Sequence, residues 1–203
     1  MNRNYSKELD ALIEKNKREN IKPKLMLHAC CACCASYVLE YLSEHFEIYL
    51  LFYNPNITSE EEYDYRYSEL KRLVCEMELS EKVSIVDSDY SPDVFMDRVK
   101  GLENEPEGGE RCMVCYEMRL REAAVYAAQG GFDYFTTTLS ISPLKNAQKI
   151  NEIGEKLGRE YNVKHLPSDF KKKEGYKQSV ELSAQYDLYR QNFCGCVYSK
   201  REV

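Results

Sequence analysis

The sequence predicts an α/β protein built as a single domain, a parallel sheet flanked by helices with a cysteine-rich metal site at the C-terminal edge of the sheet. Three observations carry this expectation. Short apolar or β-branched runs alternate with helical stretches over the first 166 residues, which is the pattern of strand–helix crossovers. No repeat, linker or low-complexity stretch divides the chain, so residues 1–203 read as one domain with 1–20 as a helical extension. Four cysteines (Cys30, Cys31, Cys33, Cys34) crowd the point where the first strand gives way to a helix, and α/β folds place their sites at that edge.

The elements follow in order. Residues 1–20 form a charged amphipathic helix with Leu9, Leu12 and Ile13 facing inward, unlike a secretory signal. Residues 25–29 are the first strand and residues 34–44 the first core helix. Residues 47–53 (EIYLLFY) make a buried strand ended by the turn cluster Asn54-Pro55-Asn56. Ser59 and Glu62 form a capping box for a helix whose inner face is Tyr63, Tyr67, Leu70, Val74 and Met77; Cys75, beside that stripe, is expected to be core packing. Residues 83–87 are a third strand, and Ser91-Pro92 starts a helix that ends by Gly101. After the acidic loop 103–109, Cys112 and Cys115 form a CxxC at the mouth of a helix running over 117–129. Gly130-Gly131 stops it, and residues 132–138 (FDYFTTT) read as a strand. Ser142-Pro143 repeats the helix-start signal for a stripe of Leu144, Ala147, Ile150, Ile153 and Leu157. Residues 162–166 are a last short strand, and a helix over 176–191 precedes Cys194-Gly195-Cys196.

Composition sets limits on function. At 43% hydrophobic and 31% charged residues the chain is that of an ordinary globular protein. No apolar run approaches the roughly 20 residues of a membrane helix, so no membrane association is expected and the cytoplasm is the expected compartment. Nine cysteines in a reducing compartment point away from disulfides. The net charge of −6 argues against an extended nucleic-acid surface, yet the charge is uneven. Residues 101–110 carry four glutamates and no base, while residues 164–177 carry five lysines against one Asp and one Glu. That second stretch reads as a local basic patch or as a solvated loop.

Eight thiols fall into three groups: 30/31/33/34, 112/115 and 194/196. Clusters drawn from distant parts of one chain read as ligands of one site. A CxxC by itself serves zinc, iron–sulfur clusters and dithiol redox chemistry alike. Structural zinc and a [4Fe–4S] cluster each take four thiolates, so eight thiols suggest two adjacent metal sites or one site beside reactive thiols. Soft sulfur ligands select zinc or iron–sulfur clusters over hard ions. The strand–loop–helix at residue 25 is where PP-loop enzymes of the nucleotide-binding, HUP-like scaffold keep an SGGxDS phosphate loop. Here the turn reads HACCACCAS, with no glycine to admit a phosphate, which excludes that activity while leaving the scaffold.

These motifs together resemble the QueH-type epoxyqueuosine reductases, from about residue 22 to 200. His28-Ala29-Cys30-Cys31-Ala32-Cys33-Cys34 resembles the family's HxCCAPC, with Cys33 where the family usually has proline and Cys34 aligned with the last thiol. Arg111, Cys112, Cys115, Tyr116 and Arg119 match RCxxCYxxR, and residues 136–145 are similar to TTTLxxSPxK. Asp169 through Ser179 match DFKKxxGYxxS, and Tyr189 through Ser199 match YRQxxCGCxYS.

The resemblance implies a cobalamin-independent oxidoreductase that removes the epoxide oxygen from epoxyqueuosine at the wobble position of tRNA. It implies a [4Fe–4S] cluster and a second metal ion, iron, and an unidentified electron donor of the ferredoxin or flavodoxin kind. The expected division gives the cluster Cys31, Cys112, Cys115 and Cys194, and the lone metal Cys30, Cys34 and Cys196, with Cys33 a bystander or alternative ligand. Asp169, Arg190, Gln191 and His28 are the expected catalytic residues, with His165 a further candidate proton source; His28 reads equally as a buried structural histidine. Lys171, Lys172, Lys173, Arg111 and Arg119 are expected to contact the tRNA, whose splayed anticodon bases suit aromatic stacking beside a basic groove. The competing readings are a zinc-stabilised tRNA-binding module and an iron–sulfur tRNA-thiolating enzyme.

Overall fold

The computed structural model of the protein describes residues 3–199. Its centre is a five-stranded parallel sheet of β1 (Lys24–His28), β2 (Glu47–Leu51), β3 (Val83–Val86), β4 (Tyr134–Thr137) and β5 (Lys164–His165), in the order β3-β2-β1-β4-β5. The expected α/β class and its alternation are therefore present. β1 is the middle strand and is covered on both faces: Leu25 and Leu27 enter one core while Met26 enters the other. A strand buried on both sides needs an unbroken apolar run, and LML supplies it.

Seven helices flank the sheet: α1 (Tyr5–Glu19), α2 (Ala32–Leu42), α3 (Glu60–Glu76), α4 (Pro92–Arg98), α5 (Glu110–Gln129), α6 (Ala147–Tyr161) and α7 (Gly175–Gln185). One core joins α1, α2, α3 and α7 to the sheet through Leu9, Leu39, Leu70 and Leu182. The other is built from Leu120, Ala124, Ile150 and Leu157 of α5 and α6.

Strand order reverses between β1 and β4. The chain leaves β1 through α2 toward β2 and β3, then returns to place β4 on β1's other side. At such a switch point the loops after the two strands part, and the gap at their carboxyl ends is where open α/β sheets bind ligands.

Four local expectations are corrected. Cys75 is exposed: one residue past Val74 is a 100° turn of the helix, enough to leave the buried stripe. Ser142-Pro143 does not start a helix. The Ser142 hydroxyl accepts from the Leu144 N–H at 3.3 Å, a local turn, and Leu144 is 65% exposed. Asn146 is the cap of α6, its side chain accepting from the Lys149 N–H at 3.1 Å. α5 begins at Glu110, upstream of the CxxC, so Cys112 and Cys115 lie inside its first two turns. α7 ends at Gln185 and not at 191; Asp187 is left-handed and the Leu188 N–H closes on the Ser183 carbonyl at 2.8 Å, as at many helix C-termini.

Candidate metal centre

The turn after β1 carries its thiols to the switch point. Cys31 caps α2, its sulfur accepting from the Cys34 N–H at 3.4 Å. This bond folds Cys34 back toward Cys30 and Cys31, and the three sulfurs lie within 4.8 Å of one another. Cys33 is turned away and donates to the Tyr189 carbonyl at 3.2 Å. Thr138, just beyond β4, ties the turn to the next strand. Its hydroxyl accepts from the Cys30 N–H at 3.2 Å and donates to the Cys30 sulfur at 3.4 Å.

A second thiol group adjoins the first. Cys112 and Cys115 from α5 meet Cys194 and Cys196 of the C-terminal segment around a small cavity, backed by Phe95 and Val99. The Gly108 N–H donates to the Cys112 sulfur at 3.2 Å, and the Cys194 thiol donates to the Ser199 hydroxyl at 3.1 Å. Gly195, at φ +99°, turns the chain between Cys194 and Cys196. A Cβ there would sit 2.6 Å from Ile57 and 3.3 Å from Arg66, so both the backbone and the space require glycine.

The structure groups the thiols by position differently from the expected ligand sets: Cys31 stands with Cys30 and Cys34, and Cys196 stands with Cys112, Cys115 and Cys194. The cause is tertiary, since α2 fixes the first group and the C-terminal segment folds against α5 to complete the second.

The electrostatics are those of a thiolate site. Hydrogen bonds from Cys31 and Cys34 hold Cys30 well below the usual thiol range, and its bond to Cys30 pushes Cys31 up to about 12. In the second group the bond from Cys196 lowers Cys194 to about 4, and Cys196 is raised in turn. Two cations face the thiols, the buried Arg119 and the half-buried Lys145. Arg119 is 2% exposed, donates to the Cys115 carbonyl at 3.3 Å and reaches the Asn54 side-chain oxygen at 3.5 Å. Burial works against the charges of Arg119 and Lys145, but the facing thiols outweigh it and hold both groups above their ordinary values.

The donors fit soft metals. Four sulfurs at about 2.3 Å from one tetrahedral ion lie about 3.8 Å apart, and the Cys30–Cys31 sulfur separation is 4.0 Å. Three thiols within 4.8 Å of one another suit one mononuclear ion with an open position. The other four are the donor count of a [4Fe–4S] cluster.

The first group, with Cys194 of the second, borders a cavity of about 320 Å³ at the switch point. Arg190 and Gln191 line it. The Gln191 side-chain oxygen is buried there without a hydrogen-bond partner, and Arg190 donates to the Ser183 hydroxyl at 3.1 Å. Arg119 lines it too. Other expected residues fall elsewhere. Asp169 lies outside that cavity, 2.9 Å from the Lys171 ammonium. Lys173 pairs with Asp10 at 2.5 Å, which leaves Lys172 of the three without a carboxylate partner among the described residues. Arg111 is buried and donates to the carbonyls of Leu102 and Glu103 at 2.8 and 2.9 Å, bracing the acidic loop.

Of the three histidines, the two named as candidates, His28 and His165, are held neutral by burial. His28 is fully buried, with Nε2 3.0 Å from the Tyr53 carbonyl and Nδ1 2.8 Å from the Thr137 hydroxyl. The carbonyl only accepts, so Nε2 carries the proton. Burial, then Arg119, lowers His28 to about 4, and the ring clamps β1 to its neighbours. His165 packs against Phe135 on the far strand β5, away from the thiols.

Sequence reasoning missed three contributors. Asn54 and Asn56, read only as a turn, donate to the Ala29 carbonyl at 2.9 Å and the Cys194 carbonyl at 3.0 Å, linking both thiol segments to the end of β2. Their position just past a strand's carboxyl end was the available signal. Lys145 lines both cavities, and its place as the last residue of the TTTLxxSPxK pattern was the only hint.

Fold and site together define a parallel α/β protein with a thiol-rich metal-binding centre at its topological switch point. No helix among the described residues is long and apolar enough to cross a membrane. Comparison with known proteins narrows this class. Residues 25–202 match the family model described as epoxyqueuosine reductase QueH. The epoxyqueuosine reductase QueH of Streptococcus pyogenes serotype M1 is 42% identical over 200 residues, covering 98% of this chain and 78% of that protein. The Staphylococcus epidermidis protein of the same name is 43% identical over 200 residues, covering 97% and 84%. The chain belongs to the epoxyqueuosine reductase QueH family, and is an oxidoreductase.

Proposed function

We propose that the protein reduces epoxyqueuosine to queuosine at the wobble position of tRNA in the cytoplasm. The epoxide carbons lose their shared oxygen and become an alkene, taking two electrons and two protons and releasing water. The observation that carries this reading is a cavity bordered by the three-thiol group and by Cys194 of the adjoining four-thiol group, large enough for one modified nucleoside and far too small for a folded tRNA. The nucleoside must then enter splayed from its loop, as anticodon bases can.

Cys112, Cys115, Cys194 and Cys196 would hold a [4Fe–4S] cluster, and Cys30, Cys31 and Cys34 a single iron. When bound, the metals would pass on electrons received from a one-electron carrier of the ferredoxin or flavodoxin class. The chain's own residues bind and orient. Gln191 offers its unpartnered oxygen to a donor edge of the base, Arg190 supplies a guanidinium at the same wall, and Lys172 offers its charge to phosphate outside. His28 acts through position, keeping the turn of Cys30 in register with Thr137.

The test is metal and acid-labile sulfide analysis of oxygen-free protein, followed by turnover of an epoxyqueuosine-bearing anticodon stem-loop. About five irons and four sulfides per chain, with loss of the epoxide, are the expected result. One zinc with no sulfide and no turnover overturns the reading in favour of a zinc-stabilised binding module.

A further inference from the structure

The cavity wall opposite the thiols holds cations of unequal standing. Arg66 is neutralised by Glu62 at 2.6 Å. Lys145 has no carboxylate within ion-pairing distance among the described residues, and its ammonium has no hydrogen-bond partner there. It lines the substrate-sized cavity and the smaller one among the four thiols, so it stands between the two groups. An unpaired ammonium in a partly buried wall is costly unless negative charge faces it. The groups beside it that can carry that charge are thiols of the same cavity, among them Cys30, Cys34 and Cys194.

The segment that presents Lys145 is irregular, since the turn at Ser142 replaces the expected helix. It is held from outside. The Lys171 ammonium donates to the carbonyls of Ser140 and Lys145, each at 3.4 Å, and Asp169 lies 2.9 Å from the same ammonium. Asp169 and Lys171 thus brace the backbone of the very residue that enters the cavity, while lying outside it.

We propose that Lys145 is the charge-compensating residue of the reaction centre, and that the Asp169–Lys171 ion pair is the device that positions it. Resting on the reductase reading, the assignment gives Asp169 and Lys171 a role in the centre and leaves Lys172 to tRNA phosphate. A fixed cation beside thiolates favours the more negative, reduced form of whatever centre they hold, and it stabilises negative charge on an oxygen leaving carbon.

The test uses full-length protein loaded without oxygen. Lys145→Met is expected to keep its iron and sulfide, to shift the midpoint potential of the bound centre to lower values, and to lower kcat about 100-fold with KM within about twofold. Lys145→Arg is expected to keep the wild-type potential and recover part of kcat. Asp169→Asn is expected to shift the potential in the same direction by less and to lower kcat about 10-fold, with stem-loop affinity unchanged. A wild-type potential in Lys145→Met overturns the proposal, as does loss of iron in both Lys145 variants, which would make the side chain a packing element. The potential is read without RNA. A protein that shows the shift but leaves the epoxide intact therefore defeats the reductase reading and supports the charge assignment.

Discussion

Thr138 bonds Cys30 twice, accepting from its N–H at 3.2 Å and donating to its sulfur at 3.4 Å. The two residues are 108 positions apart and belong to loops after adjacent strands, so this one hydroxyl spans the switch point. Thr138→Val keeps the shape and removes both bonds. The Cys30 N–H is then unpaired, at a cost of about 1–3 kcal/mol, and the thiolate loses a donor. Metal affinity of the three-thiol group should fall about 10- to 100-fold, measured by competition with a chelator. Thr138→Ser should restore most of it.

The partition of the thiols can be counted. Cys34→Ala should remove about one iron per chain and leave about four irons and four sulfides in place, with the visible spectrum largely kept. Cys196→Ala should strip about four irons and all the sulfide. Loss of a single iron from the Cys196 variant would return that residue to the mononuclear group and overturn the grouping seen here.

This partition marks the limit of what the sequence made legible. The run Leu25-Met26-Leu27 announced a central strand and the thiols after it announced the site, because both signals are local. Which thiols meet is not local. It depends on the acidic loop and the C-terminal segment folding over α5, and no spacing rule encodes that. The Ser142-Pro143 pair shows the opposite failure, a local signal overridden. Read as a helix start, it turned Leu144 inward; the structure exposes Leu144 and lines both cavities with Lys145. The charges of 164–177 suggested a surface for RNA, but pairing Lys171 with Asp169 and Lys173 with Asp10 is a tertiary event. It turns most of the patch into scaffold.

Gly195 gives a stability prediction with two separate causes. Gly195→Ala must hold φ near +99° and push a methyl group against Ile57 and Arg66. Left-handed strain costs about 1–2 kcal/mol, and the contact displaces the segment carrying Cys194 and Cys196. The variant should unfold at a lower temperature and bind little sulfide, while the three-thiol group still takes up one metal ion, measured by metal analysis beside a thermal melt. Full sulfide content in Gly195→Ala would show that the turn tolerates a side chain.

His165 sets the acid limit of stability. Both ring nitrogens are buried and unpartnered, and Gly154 leaves the room the ring occupies, since a Cβ there would lie 2.2 Å from it. Burial, with a smaller contribution from Arg3, lowers its pKa from 6.5 to about 3. The folded state thus disfavours the cation while the unfolded chain accepts a proton near 6.5. The stability this group contributes is complete above pH 6.5 and is lost as the pH falls toward 3, by an amount of the order of 5 kcal/mol. His165→Leu cannot take up that proton, so its denaturant midpoint should fall less steeply between pH 6.5 and 4 than that of the wild type. The site lies across the sheet from the thiols, so metal content at neutral pH should not change. Equal slopes in the two proteins would mean that the ring is protonated in the folded state, and that a partner for it forms in solution.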